Sequence, residues 1–242
     1  MFLLPSGFIL VSPGDDLDAV LDAIVQTGYG EEFCLAFSLE RSFVVDLMRA
    51  GFLVMSEYMG LEDNAGLIIE PMHHLIRSVL FLDRVHEGKT IQRFLPGYEF
   101  AFDRDFDRII ARCAEVHGEG WLTKPLIKTI ASVKALGKKE VMPAAFGVYR
   151  NGELKAGEFG VISGGVYTSY SGYHDESNAG KAQMILTARW LREQGFAFWD
   201  LGMPLEYKDK LGAVNVSLKN FLELFRKARY RAVDPPTGLT YH

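Results

Sequence analysis

Residues 157–213 read GEFGVISGGVYTSYSGYHDESNAGKAQMILTARWLREQGFAFWDLGMPLEYKDKLGA, and this stretch decides the fold. Its apolar residues and glycines predict a strand, a glycine turn, a second strand, an irregular loop, an amphipathic helix and a final strand. The final strand, residues 196–201, is apolar except for Asp200. Because burying an unpaired carboxylate costs several kcal/mol, Asp200 is expected to be hydrogen-bonded or to lie at an opening. It is the first candidate functional residue.

The composition of the 242 residues is that of an ordinary globular protein. Hydrophobic residues make up 48% and charged residues 24%, which excludes the disordered and fibrous classes. The formal net charge of −5 argues against a broadly basic nucleic-acid-binding surface and leaves room for a local basic patch. Cys34 and Cys113 lie in apolar segments without metal-ligand spacing. They are interpreted as buried thiols, which fits a reducing cytoplasm.

The first part of the chain predicts a small α+β domain, residues 1–96. Its apolar start is interrupted by Pro5 and Pro13, which favours a strand over a membrane span or a signal peptide. The other predicted elements are helices 15–27 and 38–50, strands 67–69 and 77–81, and an acidic loop with Glu57, Glu62 and Asp63.

From residue 97 onward the pattern predicts a larger α+β domain, residues 97–242. Asn151-Gly152 between two apolar runs is the signal of a type I′ hairpin, and Gly164-Gly165 turns the chain into a third strand. Three antiparallel strands are thus followed by a helix and a strand. The predicted strands are 100–102, 143–149, 154–162, 166–171 and 196–201, and the predicted helices are 106–117, 125–136, 179–194 and 218–228.

The start of the helix at residue 179 is a candidate anion site. Backbone N–H groups at a helix N-terminus attract anions, and Lys181 would reinforce them. The glycine spacing excludes a Walker A loop, whereas Gly180-x-Ala182 resembles the end of the pyrophosphate loop of coenzyme A-dependent acetyltransferases. An ordinary helix capped by Ser177 or Asn178 is the alternative.

Three short motifs carry a more extensive resemblance. Asn178, Ala179 and Lys181 match an Asn-Ala-Ser-Lys element, and Leu211-Gly212-Ala213 matches the end of Ser-Leu-Gly-Ala. Gly120-Trp121-Leu122-Thr123 matches Gly-Thr-Trp-Ile-Thr without its second residue. In these elements the chain resembles the leucyl/phenylalanyl-tRNA–protein transferases, over about residues 32–226, and is identified as a diverged member.

Two further motifs of that family are only partly present. The family motif Gly-Glu-Ser-Met-Phe-Ser aligns with residues 169–174 of this chain. Ser171 is identical, Tyr173 keeps an aromatic ring, and Tyr170 stands where the motif has glutamate. Asp200 matches the aspartate of Asp-Cys-Gln, and Gly202 replaces its glutamine.

The resemblance implies a GNAT-like acyltransferase fold, with a mixed, mostly antiparallel sheet flanked by helices and preceded by the smaller N-terminal domain. It also implies transfer of leucine or phenylalanine from aminoacyl-tRNA to the N-terminal amine of a protein, in a cytoplasmic N-degron (N-end rule) degradation pathway. The implied partners are the 3′ aminoacyl-adenosine end of the tRNA and the acceptor N-terminus. No cofactor, metal or membrane is expected.

The same resemblance assigns roles to residues. Catalytic candidates are Asp200, which would orient the acceptor amine, with Tyr170 and Ser171, and backbone N–H groups of residues 171–173 would bind the oxyanion. Candidates for substrate binding are Trp121, Tyr173, Asn178, Lys181 and Gly202. Asp200 as a cap of local backbone and Trp121 as a core residue are the structural alternatives.

Two other function classes stay open at this point. A coenzyme A-dependent N-acyltransferase is favoured by the Gly180-x-Ala182 fragment, and a non-catalytic, diverged binding protein by the missing Glu and Gln. Stabilisation by coenzyme A would indicate the N-acyltransferase, and stabilisation by an aminoacyl-adenosine analogue would indicate the transferase. Binding of a ligand without any transfer would favour the non-catalytic binding protein.

Overall fold

A computed structural model describes residues 2–60, 66–118, 120–137, 140–233 and 240–241. The first elements are β1 (Phe2–Leu3), β2 (Ile9–Leu10), α1 (Leu17–Thr27), α2 (Arg41–Ala50), β3 (Leu53–Met59), β4 (Gly66–Met72), β5 (Ile76–Leu80), α3 (Lys89–Gln92), a 3-10 turn (Leu95–Gly97) and β6 (Glu99–Phe102). They are followed by α4 (Phe106–His117), α5 (Lys124–Lys134), β7 (Met142–Arg150), β8 (Glu153–Ser163), β9 (Val166–His174), α6 (Ala179–Glu193), β10 (Phe198–Asp200), α7 (Glu206–Leu211), β11 (Val214–Ser217), α8 (Leu218–Ala228) and β12 (Thr240–Tyr241).

An eight-stranded sheet with the order β11-β5-β10-β9-β8-β7-β6-β12 organises the described chain. Only the β9–β10 pair is parallel; the other neighbours in the sheet are antiparallel. The predicted α+β class with a mixed, mostly antiparallel sheet is therefore confirmed. Strand β5 comes from the predicted N-terminal domain, yet it is an inner strand of this sheet, between β11 and β10.

Helices cover both faces of the sheet. Ala145 of β7 belongs to a buried cluster that also contains residues of α1, α2, α4, α5 and α8. Its neighbours Ala144 and Phe146 belong to a second buried cluster, shared with α6. Because successive residues of a strand point to opposite faces, the two clusters lie on opposite sides of the sheet.

Local sequence explains most of these elements. In α8, the buried residues Leu218, Phe221, Leu222 and Phe225 follow the i, i+3, i+4, i+7 spacing of an amphipathic helix. The hairpin between β7 and β8 has positive φ angles of 53° at Asn151 and 77° at Gly152, as a type I′ turn requires.

Two sequence predictions need correction. Glu57 was expected in a loop, but it lies in β3, which pairs with β4 along its whole length; Glu62 and Asp63 lie outside the described residues. Asn178 directly precedes α6, but its side chain makes no capping hydrogen bond, and its φ of 70° is left-handed.

Candidate functional site

The parallel pair β9–β10 creates an opening at the middle of the sheet. Strand β10 pairs with β9 only at Val166, Tyr167 and Thr168, and it ends at Asp200. Strand β9 continues to His174, so its edge beyond Thr168 is not covered by β10. The candidates Tyr170, Ser171 and Tyr173 belong to this part of β9.

Asp200 is fully buried and bound by a bidentate arginine. Arg77 donates from Nε to Oδ1 over 3.2 Å and from Nη2 to Oδ2. Thr168 Oγ1 donates to Oδ2 and the Gly202 N–H to Oδ1, each over 3.0 Å. The guanidinium also lies 4.3 Å from the centre of the Phe221 ring. The buried carboxylate is thus compensated by the ion pair with Arg77 and by the hydrogen bond from the Gly202 N–H.

Tyr170 and Trp121 both contact β3, although they are far apart in sequence. The Val54 N–H donates to the Tyr170 hydroxyl over 3.0 Å, and burial raises the pKa of that hydroxyl. The Ser56 N–H donates to the Trp121 carbonyl over 2.9 Å. Because Val54 and Ser56 are two positions apart on one strand, β3 brings these two candidates to the same edge.

The remaining candidates lie against α4 or at the start of α6. Ser171 lies beside the Cys113 thiol of α4, whose pKa burial raises to about 12. Tyr173 is buried with Arg112 over its ring, 5.4 Å from the ring centre. Lys181 is exposed in the first turn of α6. The structure therefore places Ser171 and Tyr173 against α4, apart from the group around Asp200.

Glu158 on β8 is a buried carboxylate that the sequence analysis missed. It accepts a hydrogen bond from Ser169 Oγ over 2.7 Å, and Trp199 Nε1 donates to the same hydroxyl over 2.7 Å. Burial raises the pKa of Glu158 to about 7, against the lowering effects of Ser169, Tyr167, Lys208 and Gln183.

The signal for Glu158 was present in the sequence. Gly157-Glu158 repeats the first two residues of Gly-Glu-Ser-Met-Phe-Ser, one strand earlier than the alignment that puts Tyr170 in place of the glutamate. Asp200 was singled out because a carboxylate on a buried strand needs partners. The same reasoning applies to Glu158, because β8 is buried along most of its length.

Lys208 of α7 is a buried lysine in the electrostatic neighbourhood of Glu158 and Asp200. Its ammonium donates to the carbonyls of Leu201 and Met203, over 2.5 and 2.7 Å. Burial lowers its pKa to about 8, while Glu158 and Asp200 oppose that shift. The lysine therefore lies within electrostatic reach of both acids.

Two adjacent histidines, His73 and His74, lie just before β5, and the Arg77 guanidinium donates to the His73 carbonyl over 3.4 Å. His74 Nδ1 lies 3.0 Å from Glu32 Oε2, and among the described residues neither ring nitrogen of the buried His73 has a hydrogen-bond partner. Within the described ranges, no group of three His, Cys, Asp or Glu side chains is arranged to bind a metal ion.

No helix of the described chain combines the length and the apolar character that crossing a bilayer requires.

Several known proteins are similar to this chain in sequence or in structure. FemX shares 9% identity with a TM-score of 0.48, covering 87% of this chain and 78% of its own. The leucyl/phenylalanyl-tRNA–protein transferase of Rubrobacter xylanophilus is 28% identical over 154 residues, 63% of this chain and 78% of the relative. That of Pseudomonas aeruginosa LESB58 is 29% identical over 167 residues, 67% of this chain and 71% of the relative. The model of the leucyl/phenylalanyl-tRNA protein transferase family matches residues 79–226, more than half of the chain, which therefore belongs to this family.

Proposed function

We propose that this protein transfers leucine or phenylalanine from aminoacyl-tRNA to the N-terminal amine of a protein, as part of N-end rule degradation in the cytoplasm. Membership of the family supports the reaction class. Glu158 is the observation that supports a specific site for this reaction. It is a buried carboxylate on β8, the strand next to β9, and its pKa is raised to about 7. A buried acid that titrates near neutrality suits proton transfer at physiological pH.

The fold proposal is the GNAT-like acyltransferase arrangement. It rests on the antiparallel meander β7-β8-β9 and on α6, which leads into β10 parallel to β9. The division into an N-terminal domain of residues 1–96 and a transferase domain of residues 97–242 remains a proposal, with β5 joining the sheet across it.

The chemistry needs positioning more than activation. The ester of an aminoacyl-tRNA is already reactive, so the acceptor amine forms an N–C bond and the C–O bond to the ribose breaks. The amine loses a proton, and the ribose oxygen gains one. Good orientation alone contributes roughly 7–11 kcal/mol in favourable systems. In this scheme Glu158 accepts the proton from the amine and returns it to the ribose oxygen.

Asp200 acts in this scheme as a positioning residue. Its oxygens are occupied by Arg77, Thr168 and the Gly202 N–H. It therefore shapes the end of β10 and the residues after it, and the acceptor amine lies beside that backbone.

The other candidates would hold the aminoacyl end of the tRNA. Trp121 and Tyr170, at one edge of β3, would form a wall for the adenine and the apolar side chain, with Tyr173 further along β9. Backbone N–H groups of residues 171–173 would stabilise the oxyanion, with the Ser171 hydroxyl beside them. Asn178 and Lys181, at the start of α6, would bind a terminal phosphate.

Replacing Trp121 by Ala is expected to weaken binding of an aminoacyl-adenosine analogue by about 1–3 kcal/mol, the size of a lost base stack. The control is Trp121→Phe, which keeps a smaller ring and should retain most of the affinity. Calorimetric titration and thermal unfolding are compared for both variants. A loss of stability without a selective loss of binding would instead place Trp121 in the core.

The position of Gly202 limits any attempt to restore the glutamine of the family. Its φ is +73°, which is left-handed, while an added Cβ would only touch Leu53 at 3.7 Å. Gly202→Gln is therefore expected to lower the free energy of unfolding by roughly 1–2 kcal/mol through backbone strain. Gly202→Ala, which carries the same strain without the amide, is the control in denaturant titrations. Equal stability of wild type and both variants would contradict a strained backbone here.

The proposed activity is tested by transfer of labelled leucine from charged tRNA to a peptide that begins with Arg or Lys. Incorporation that depends on charged tRNA supports it. Absence of transfer, with stabilisation by coenzyme A, would favour the N-acyltransferase alternative instead.

A further inference from the structure

Lys208 is the inward-facing lysine of a short helix that carries two. Only 5% of its surface is exposed, whereas the Lys210 side chain is 72% exposed and pairs with Glu206. Leu211, three residues after Lys208, is buried on the same side of α7. Burying an ammonium group is unfavourable, so a lysine in this position needs partners that compensate for lost water.

Those partners are the two carbonyls on either side of Gly202. Lys208 Nζ bonds the Leu201 and Met203 oxygens. Between them, the Gly202 N–H bonds Asp200, and its carbonyl accepts from the Ser78 N–H of β5 over 2.7 Å. The turn of residues 201–203 is thus fixed from three directions, by α7, by β5 and by the Asp200 side chain.

The charges that face Lys208 come from three strands of the central sheet. Glu158 on β8 and Asp200 on β10 favour its ammonium form, and Arg77 on β5 opposes it. Since Arg77 already forms a bidentate pair with Asp200, Glu158 is the acid without such a pair among these residues. In turn, Lys208 favours the ionised form of Glu158.

We infer that Lys208 is a positioning residue of the transfer site: it fixes the 201–203 turn behind Asp200 and provides the positive charge that faces Glu158. This inference rests on the proposed function. It offers a reason why glycine can stand at position 202, where the family motif has glutamine: the Lys208 side chain holds the carbonyls on either side of it.

The experiment compares Lys208→Met, Lys208→Arg and, as the matched control on the same helix, Lys210→Met. Single-turnover transfer from charged tRNA is measured against pH, together with thermal unfolding and amide hydrogen exchange. For Lys208→Met we expect a loss of about 10²-fold in transfer at saturating substrate, the effect of a misplaced site. We also expect the acid limb of its pH profile to move to higher pH, because Glu158 loses the cation that favours its ionised form. Lys208→Arg should recover part of the rate and keep the limb near its wild-type position.

Hydrogen exchange tests the turn without relying on transfer. The Ser78 amide, which bonds the Gly202 carbonyl, should exchange faster in Lys208→Met and unchanged in Lys210→Met. If Lys208→Met leaves the exchange of the Ser78 amide unchanged, or leaves both the transfer rate and the acid limb unchanged, the inference about Lys208 is wrong. Transfer by the wild type in the same experiment would still support the proposed function. A wild type that transfers nothing overturns the proposed function itself and the inference with it.

Discussion

The Asp200→Asn variant is expected to lose about 3–5 kcal/mol of its free energy of unfolding, because it leaves the guanidinium of Arg77 buried without its counter-charge. Both side chains are fully buried, so water cannot replace the lost partner. A purely catalytic role for Asp200, orienting the acceptor amine, would instead leave the fold of this variant intact and remove only transfer. Denaturant titration of wild type and variant measures the difference.

A double variant separates stability from function. Arg77→Met with Asp200→Leu removes both charges, and replacing a buried ion pair by apolar residues is often neutral or stabilising. The double variant should therefore be clearly more stable than Asp200→Asn but still fail to transfer, because the Gly202 N–H and Thr168 lose their acceptor. Transfer at the wild-type rate by the double variant would show that the pair serves only stability.

Replacing Glu158 by Gln is expected to lower transfer by about 10²–10⁴-fold, the usual contribution of a positioned proton acceptor. Gln keeps the shape of the side chain and its hydrogen bond with Ser169, so the fold should be retained. Glu153→Gln is the control, since Glu153 is an exposed carboxylate at the start of the same strand. If Glu158→Gln transfers at the wild-type rate, the proton acceptor is a different group.

The same variant changes how stability depends on pH. The pKa of Glu158 is raised from 4.5 to about 7 in the folded protein, mainly by burial. Its stabilising contribution is complete below pH 4.5 and is lost as pH rises towards 7, because the unfolded chain releases the proton first. The loss is about 3 kcal/mol for a shift of this size. The difference between the wild-type and Glu158→Gln stability curves should show this slope, and a constant difference would contradict the raised pKa.

Local patterns predicted the elements of the fold well where packing and turn chemistry agree. The α8 helix and the Asn151-Gly152 hairpin are determined by spacing and by the φ angles those residues accept. Strand β3 was missed because its second half is exposed, with Glu57 in it, and its pairing with β4 does not show in local hydrophobicity.

The candidate site was harder to predict because its contacts are distant in sequence. Asp200 was identified from its apolar surroundings, but its partner Arg77 lies 123 residues earlier, where nothing local indicates an ion pair. Likewise, the contact of Tyr170 with Val54 required β3, which the sequence had assigned to a loop. Which carboxylate is buried, and what compensates it, depends on how strands from both ends of the chain meet.

The position of β5 in the sheet has a consequence for protein synthesis. This strand leaves the ribosome early, but its two sheet neighbours, β10 and β11, are made more than a hundred residues later. Contacts across such separations form slowly, because the intervening chain must first be ordered. During translation β5 therefore lacks both of its native neighbours in the sheet, and Arg77 lacks its ion-pair partner Asp200. The nascent chain can complete the central sheet and the Arg77–Asp200 pair only after β10 and β11 have emerged, so we expect transfer activity to be gained only after those strands have left the ribosome.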